Sequence, residues 1–187
     1  MSNRLNSVGY IEDGEHWPGL VSAVVAELRP RSVLDLGCGP CRSLADFKAA
    51  GVQKVVGLDG ARALLDNPHV RPHRADIVLV DLEASPCVFG ERFDLVWSYE
   101  VAEHIAHYEN FIETLTENSG KWIVMTAALP GQVGIGHVNC QPPAFWIGKI
   151  QERGFNFRGD LTHKFMSLGK AETGYFDGNG LVFCRAF

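Results

Sequence analysis

From about residue 20 to the end of the chain, short apolar runs alternate with stretches in which apolar residues recur every three or four positions. This is the pattern of buried strands separated by amphipathic helices. Leu20 to Leu28 reads as a helix that Pro30 ends, and Ser32 to Gly37 as a first strand. Arg42 to Ala50 predicts a second helix closed by Gly51, then a strand over Lys54 to Asp59 and a helix from about Ala61 to Asp66, ended near Asn67-Pro68. Strands are expected at Ile77 to Asp81, Phe93 to Ser98 and Trp122 to Ala127. A long helix carrying Ile105, Phe111, Ile112 and Leu115 runs to Ser119-Gly120 before the last of these. Leu129 to Pro143 is a loop rich in glycine and proline, and Pro143 to Arg153 a helix capped by Gly154. Phe155 to Leu161 and Leu181 to Ala186 complete the strands, joined by a polar excursion from Thr162 to Gly180. The alternation predicts an α/β fold: one doubly wound, mostly parallel seven-stranded sheet with helices on both faces.

Composition narrows the setting. A chain of 187 residues with 46% hydrophobic content buries a full core and is expected to form one domain over 1–187. The N-terminus has no apolar run after Arg4, and no stretch approaches the roughly 18 apolar residues of a membrane span, so a cytoplasmic protein with no membrane partner is expected. Cys38, Cys41, Cys87, Cys140 and Cys184 are an odd number without an export signal, which argues against a disulfide framework. The net charge of -5 argues against a large basic nucleic-acid footprint, although a local strip is not excluded. The densest basic patch, Arg71, Pro72, His73 and Arg74, reads as a solvated loop.

The candidate chemistry centres on Val33 to Cys41 (VLDLGCGPC), where two readings compete. As Asp-x-Gly-x-Gly it is a turn whose glycines let the backbone approach a nucleotide closely, with a helix N-terminus behind it. As Cys-Gly-Pro-Cys it is a redox dithiol, but Gly37 stands where thioredoxin-like motifs carry an aromatic residue. The dinucleotide fingerprint Gly-x-Gly-x-x-Gly fails at Arg42, which argues against a pyrophosphate cofactor. Acidic residues close the successive strands: Asp35, Asp59, Asp81 and, after the fourth, Glu100. In an open α/β sheet ligands sit outside the carboxyl ends of the strands, so these groups are read together. A carboxylate at Asp59 is placed to accept hydrogen bonds from both ribose hydroxyls of an adenosine.

Val33 to Gly39, Val55 to Asp59 (VVGLD), Asp81-Leu82 and Phe93 to Ile105 (FDLVWSYEVAEHI), in this order and spacing, resemble the class I S-adenosylmethionine-dependent methyltransferases over about residues 20 to 160. The resemblance implies S-adenosyl-L-methionine as cofactor. It places Gly37, Cys38 and Gly39 under the methionine part, Asp59 with Gly60 at the ribose and Asp81 with Leu82 at the adenine, with Asp35 and Glu100 also in the cofactor site. Cys41 stands where a third glycine is common, which makes the helix entry bulkier. On this reading residues 1–30 are an N-terminal lid or helix segment, 31–161 a cofactor-binding core and 162–187 a terminal strand region.

Methyl transfer needs an aligned acceptor and a group that removes or masks its proton. Glu100, Glu103 and His104 are spaced to share a helical face after the fourth strand, and could bind a divalent cation or serve separately as cofactor and substrate contacts. Glu-x-x-Glu-His at this point resembles metal-dependent small-RNA 2'-O-methyltransferases and ubiquinone-pathway O-methyltransferases, and His137 is expected to reach the same crevice. The metal set is therefore Glu100, Glu103, His104 and His137, for magnesium, manganese or zinc; His104 and His137 are the candidate catalytic bases. His16 and Trp17 read as a lid or a packing anchor, Asn139, Gln141 and Trp146 as acceptor contacts with Trp146 better suited to the core, His107 as facing solvent or a loop and His163 as structural. The expected function is methyl transfer to an oxygen or nitrogen of a small-molecule or sugar-like acceptor. The alternatives are a metal-dependent RNA 2'-O-methyltransferase and a cofactor-binding module without catalysis.

Overall fold

The computed structural model describes residues 17–172 and 176–186. The elements run α1 (Pro18–Leu28), β1 (Ser32–Leu36), α2 (Arg42–Ala49), β2 (Lys54–Asp59), β3 (Ile77–Leu79), β4 (Phe93–Ser98), α3 (Tyr108–Asn118), β5 (Ser119–Met125), α4 (Pro143–Gln151), β6 (Phe155–Phe157), α5 (Gly159–Glu172), α6 (Phe176–Asn179) and β7 (Leu181–Arg185). The seven strands form one sheet in the order β3-β2-β1-β4-β5-β7-β6. Strands β3 to β5 of that order are parallel, whereas β7 runs antiparallel to both β5 and β6. The order reverses between β1 and β4, which opens a crevice at their carboxyl ends.

Alternation along each strand divides the core into two layers. Val33, Val55, Leu95, Trp97 and Val124 face one side, where α1, α2 and α5 cover them with Leu20, Val24, Phe47 and Phe165. Leu34, Leu36, Val96, Ile123 and Phe183 face the other, against Phe111, Leu115, Trp146 and Ile150 of α3 and α4. Trp97 and Trp146 are both fully buried, one in each layer, and cutting either to alanine would cost about 3–5 kcal/mol. Trp146 is thus a core residue. At the far edge Arg185 donates from Nη2 to the Thr116 carbonyl at 2.8 Å and from Nε to that of Ser119 at 3.0 Å, satisfying carbonyls where α3 ends.

Several boundaries differ from the sequence reading. Arg62–Asp66 is a 3-10 turn, as is Arg71–Asp76, which the pattern of residues did not announce. β3 stops at Leu79, so Asp81 lies in the turn beyond it. β5 begins at Ser119, where Gly120 is held 3.1 Å (measured from an added Cβ) from the Phe93 carbonyl: the glycine marks a close strand approach at the register shift, not a helix stop. Most of the excursion from Thr162 to Gly180 is helix α5, which also claims the end of the strand expected over Phe155 to Leu161. Leu161 and Phe165 bury against α1, and tertiary packing overrides the weak local signal.

Candidate active site

The turn after β1 is tied to β2 by its backbone. The N–H groups of Gly37 and Cys38 both donate to the Leu58 carbonyl, at 2.8 and 3.0 Å, and that of Gly39 donates to Asp59 Oδ2 at 2.9 Å. Gly37 has a φ of 75°, and a Cβ there would lie 2.4 Å from Val101 Cγ2, so the turn is pressed against the segment that follows β4. Gly39, at φ 47°, meets nothing within 4 Å in the direction of a Cβ, which leaves its upper side open to a ligand. Asp59 Oδ1 accepts from the Ala61 N–H at 2.7 Å. The β2 and β3 ends meet beside it: Val80 N–H donates to the Asp59 carbonyl at 2.9 Å, Gly60 fits against the Val80 carbonyl, and Leu82 is buried while Asp81 is exposed.

Beneath the turn, Asp35 is only 1% exposed and accepts one hydrogen bond, from Ser43 Oγ at 2.8 Å. Burial, with a smaller contribution from Asp59, pushes its carboxyl up to about 7, against the opposing effect of Ser43. Burial also raises Asp59, although the backbone N–H groups of Ala61, Gly39 and Gly60 favour its ionised form.

The cysteines of the same turn are packing groups. Cys38 Sγ fills the space left by Gly57, where a Cβ would lie 2.6 Å away, and Cys41 is 1% exposed. The hydrogen bond between the two thiols, burial and the neighbouring acids push Cys38 well above the usual thiol range, opposite to a reactive thiolate. Cys41 takes the left-handed conformation, φ 63°, at the entry to α2, where the absent third glycine would have sat without strain.

Across the crevice the β4 segment is built differently from the sequence expectation. Glu100 has φ 52°, so the chain breaks before a single 3-10 turn, Ala102–His104, and α3 begins only at Tyr108. Glu100, Glu103 and His104 therefore do not lie on one α-helical face. Glu100 N–H donates to Thr126 Oγ1 at 2.8 Å and its Oε1 accepts from Asn179 Nδ2 at 2.8 Å, two partners that the sequence reading missed. Topology alone signals Asn179: β7 starts opposite the end of β5, Leu181 pairing with Met125, so residues just before β7 lie over the carboxyl ends of the parallel strands.

His137 is delivered to this place by its loop. The Val138 and Asn139 N–H groups both donate to the Glu103 carbonyl at 2.9 Å, and Asn139 Nδ2 donates to the Ile105 carbonyl at 2.9 Å. Asn139 is thus a clamp, its Oδ1 taken by Gln141 Nε2 at 3.0 Å. His137 Nδ1 lies 3.0 Å from the Gln132 carbonyl, which can only accept, so Nδ1 carries the proton and Nε2 keeps its lone pair. The ring rests on Gly134, where a Cβ would fall 2.2 Å from Nε2. One ligand atom each from Glu103, His104 and His137 lies within 4.8 Å of the others, the two imidazoles meeting edge to face at 5.0 Å between centroids. Glu100 is outside this trio but in contact with it through Glu103.

Comparison with known proteins accords with this architecture. Residues 34–117 match the family described as "Methyltransferase domain". From β1 to α3 the chain is thus similar to S-adenosylmethionine-dependent methyltransferases. It is 38% identical over 79 residues to a malonyl-[acyl-carrier protein] O-methyltransferase of Pseudescherichia vulneris, a match covering 42% of this chain; the chain spans 31% of that relative's length. The methyltransferase domain of bacterial CtHen1-C superposes with a TM-score of 0.64 at 17% identity, covering 91% of this chain and 97% of that one. The O-methyltransferase of a trans-AT PKS multienzyme of Brevibacillus brevis, solved with S-adenosyl-L-homocysteine, gives 0.62 at 13% identity, covering 90% and 71%. At such identities the structures share the fold.

Within this methyltransferase fold burial dominates the electrostatics of the trio. Glu103 is fully buried, and neither carboxylate oxygen has a completed hydrogen bond. Burial first, then the charge of Glu100, pushes it up to about 8; the backbone N–H groups of Glu103 and Ala128 only partly offset this. His104 is lowered by burial and by His137, which keeps its imidazole neutral, although the Gly136 backbone acts the other way. Among the described residues no Lys or Arg pairs with Asp35, Asp59, Glu100 or Glu103.

The remaining candidates fall outside the centre. His107 and His163 are exposed. Trp17 is a packing anchor whose ring lies tilted against Tyr99 at 4.8 Å between centroids, and His16 lies outside the described residues. No helix among the described residues is long and apolar enough to cross a membrane. Of the basic strip, His73 Nδ1 lies 3.5 Å from Lys48 Nζ, which itself pairs with Asp76 Oδ2 at 2.5 Å.

Proposed function

We propose that the chain transfers a methyl group from S-adenosyl-L-methionine to a hydroxyl of a small-molecule or sugar-like acceptor, with nitrogen as the alternative atom. The observation that carries this reading is the convergence of Glu103, His104 and His137 just after β4, on the segment whose Val101 packs on the turn of β1. The cofactor supplies an already activated methyl group. On this reading Asp59 accepts from the ribose hydroxyls, Gly60, Asp81 and Leu82 border the adenine, and Gly37, Cys38 and Gly39 pass beneath the methionine part with Asp35 below them. The open side of Gly39 and the remaining acceptor capacity of Asp59 fit such a ligand. Asp35 and Asp59, both raised by burial, gain from a cationic sulfonium nearby.

His137 Nε2, with its tautomer fixed by Gln132, is the atom that takes the acceptor proton, and His104 is the second neutral base. The donor set also fits a divalent cation. Two imidazoles and a carboxylate, with Glu100 adjacent, suit manganese or zinc and accommodate magnesium, and a bound cation would favour ionisation of the acceptor hydroxyl. The exposed Val133, Ile135 and Val138, on the loop that carries His137, favour an acceptor with an apolar part. The same cation set supports the second reading, a metal-dependent RNA 2'-O-methyltransferase. A non-catalytic module is the third, and it would bind the cofactor without turnover.

The test is an acceptor screen with radiolabelled cofactor, before and after chelation with manganese added back, repeated for His137→Ala. Rates that fall in chelator and return with metal support the cation. Rates unaffected by chelator but reduced by about 10²–10⁴ in the variant leave His137 as the base alone. Cofactor binding without transfer to any acceptor, RNA oligonucleotides included, leaves the module.

A further inference from the structure

From Trp122 to Gly148 the chain runs 27 residues without an Asp, Glu, Lys or Arg, although 21% of its residues are charged. Burial in and just after β5 accounts for the start of this stretch, where Ile123 to Ala128 are covered. It does not account for Leu129 to Pro142, a surface loop in which Val133 is fully exposed, Ile135 76% exposed and Val138 46% exposed. Large apolar side chains grouped at one exposed place mark a contact. Gly131, at φ 91°, and Gly136, at φ 76°, turn the chain on either side of Val133 and Ile135, which form the tip.

The loop also uses up its own polar groups. Gln132 N–H donates to the Leu129 carbonyl at 3.0 Å, its side-chain oxygen accepts from the Leu129 N–H, and its carbonyl lies 3.0 Å from His137 Nδ1 and 3.7 Å from the Cys140 thiol. The His137 N–H donates to the Gly134 carbonyl at 3.3 Å, and those of Val138 and Asn139 to Glu103. A loop satisfied in this way loses little when water is withdrawn from its tip.

These features select the occupant. A side chain exposed over its whole surface lies outside the crevice, so an acceptor seated within does not cover Val133. Stable protein interfaces bury about 1,200–2,000 Å², far more than three side chains supply. A nucleic acid or an acidic partner finds no cation anywhere on the loop. A lipid surface needs neither a wide area nor a charge, and it takes up a small apolar tip at the level of its headgroups.

We propose that Val133 and Ile135, with Val138 behind them, dip into the surface of a lipid bilayer, and that the methyl acceptor is taken from that surface. The lipid contact stands on the loop alone. Its second half rests on the function proposed above, in which His137, two residues beyond Ile135, takes the acceptor proton. The acceptor is then an amphiphile whose hydroxyl reaches His137 while its apolar part stays in the lipid. The protein lies on the membrane without a helix crossing it among the described residues. Attachment is weak and reversible, because these side chains bury less hydrocarbon than one myristoyl chain, whose own association constant is only about 10⁴ M⁻¹.

The experiment is co-sedimentation of the full chain with unilamellar phosphatidylcholine vesicles, without cofactor. The wild type should reach half-saturation at about 1–10 mM lipid, one to two orders of magnitude weaker than a myristoyl chain. Raising the salt from about 0.1 to 0.5 M should not change this, since no charge takes part. Val133→Asp combined with Ile135→Asp should weaken binding at least about tenfold at an unchanged melting temperature, whereas leucine at both positions should keep it within about twofold. A wild type that stays in the supernatant, binding that salt abolishes, or an aspartate variant that binds as well as the wild type would overturn the lipid contact. So would a wild-type dimer in sedimentation velocity that the aspartates dissolve, which gives the tip to a second copy. Each of these results leaves the methyl-transfer reading to its own acceptor screen. With an acceptor from that screen, vesicles should raise the wild-type rate at least about threefold by gathering enzyme and acceptor on one surface, and should not raise that of the aspartate variant. An unchanged wild-type rate would overturn the membrane as the source of the acceptor.

Discussion

In the β1–β2 half of the crevice, the glycine turn and Asp59 lie 20 residues apart and are joined by backbone hydrogen bonds of adjacent strands. In the β4–β5–β7 half, Glu100 meets Asn179 at a separation of 79 residues, and Glu103 and His104 meet His137 through a loop clamped to the Glu103 carbonyl. The first half is rigid by construction, since its polar groups are the ends of paired strands. The second is a convergence of three loop segments, held by side-chain amides and by glycines that leave room for a ring. Cofactor capture suits the first and variable acceptor chemistry the second, because loops change without disturbing the sheet.

Substitutions should separate the halves. The largest expected effect is in the second: His104→Ala should lower methyl transfer about 10²–10⁴-fold with S-adenosylhomocysteine affinity within threefold of wild type. A parallel loss of affinity in calorimetry would show that the two halves are not separable. In the first half, Asp59→Ala should weaken S-adenosylhomocysteine by about 1.5–3 kcal/mol through loss of charge-assisted hydrogen bonds, read by the same titration. Gly134→Ala should displace the His137 ring and lower transfer about tenfold while the cofactor titration stays unchanged.

Protonation sharpens the contrast further. Asp35, at about 7, and Glu103, at about 8, hold protons in the folded chain that the unfolded chain releases near 4 to 4.5. The folded state binds more protons across this interval, so stability should be highest below about pH 4 in these two contributions and fall as pH rises toward 8. The fall is bounded at about 1.4 kcal/mol for each tenfold difference in proton affinity between the folded and unfolded chain. A divalent cation needs Glu103 ionised, so manganese should raise the melting temperature more at pH 8 than at pH 6; the reverse order in thermal melts would remove Glu103 from the cation set. The smallest effect is expected at Cys41→Ser, which should leave cofactor affinity and transfer nearly unchanged, whereas insulin-type disulfide reduction by the wild type, lost in the variant, would restore the dithiol reading.

The sequence by itself determined the sheet. Strand runs such as Val33 to Leu36 and Phe93 to Ser98 alternate between two buried faces, and the turn at Gly37 and Gly39 needs backbone conformations that glycine supplies, so local pattern and local chemistry agree. Asp59 was legible for the same reason: strand ends are placed by strand pairing. Helix α5 was not, because its weak apolar stripe forms a helix only when Leu161 and Phe165 bury against α1. The spacing of Glu100, Glu103 and His104 predicted one helical face, yet the left-handed residue at Glu100 broke it, and the trio closed through His137 instead. Asn139 and Asn179 carry no local signal of their roles. Only the antiparallel return of β7 beside β5 decided that Asn179 would stand over Glu100, since contacts between distant segments are set by topology and not by spacing along the chain.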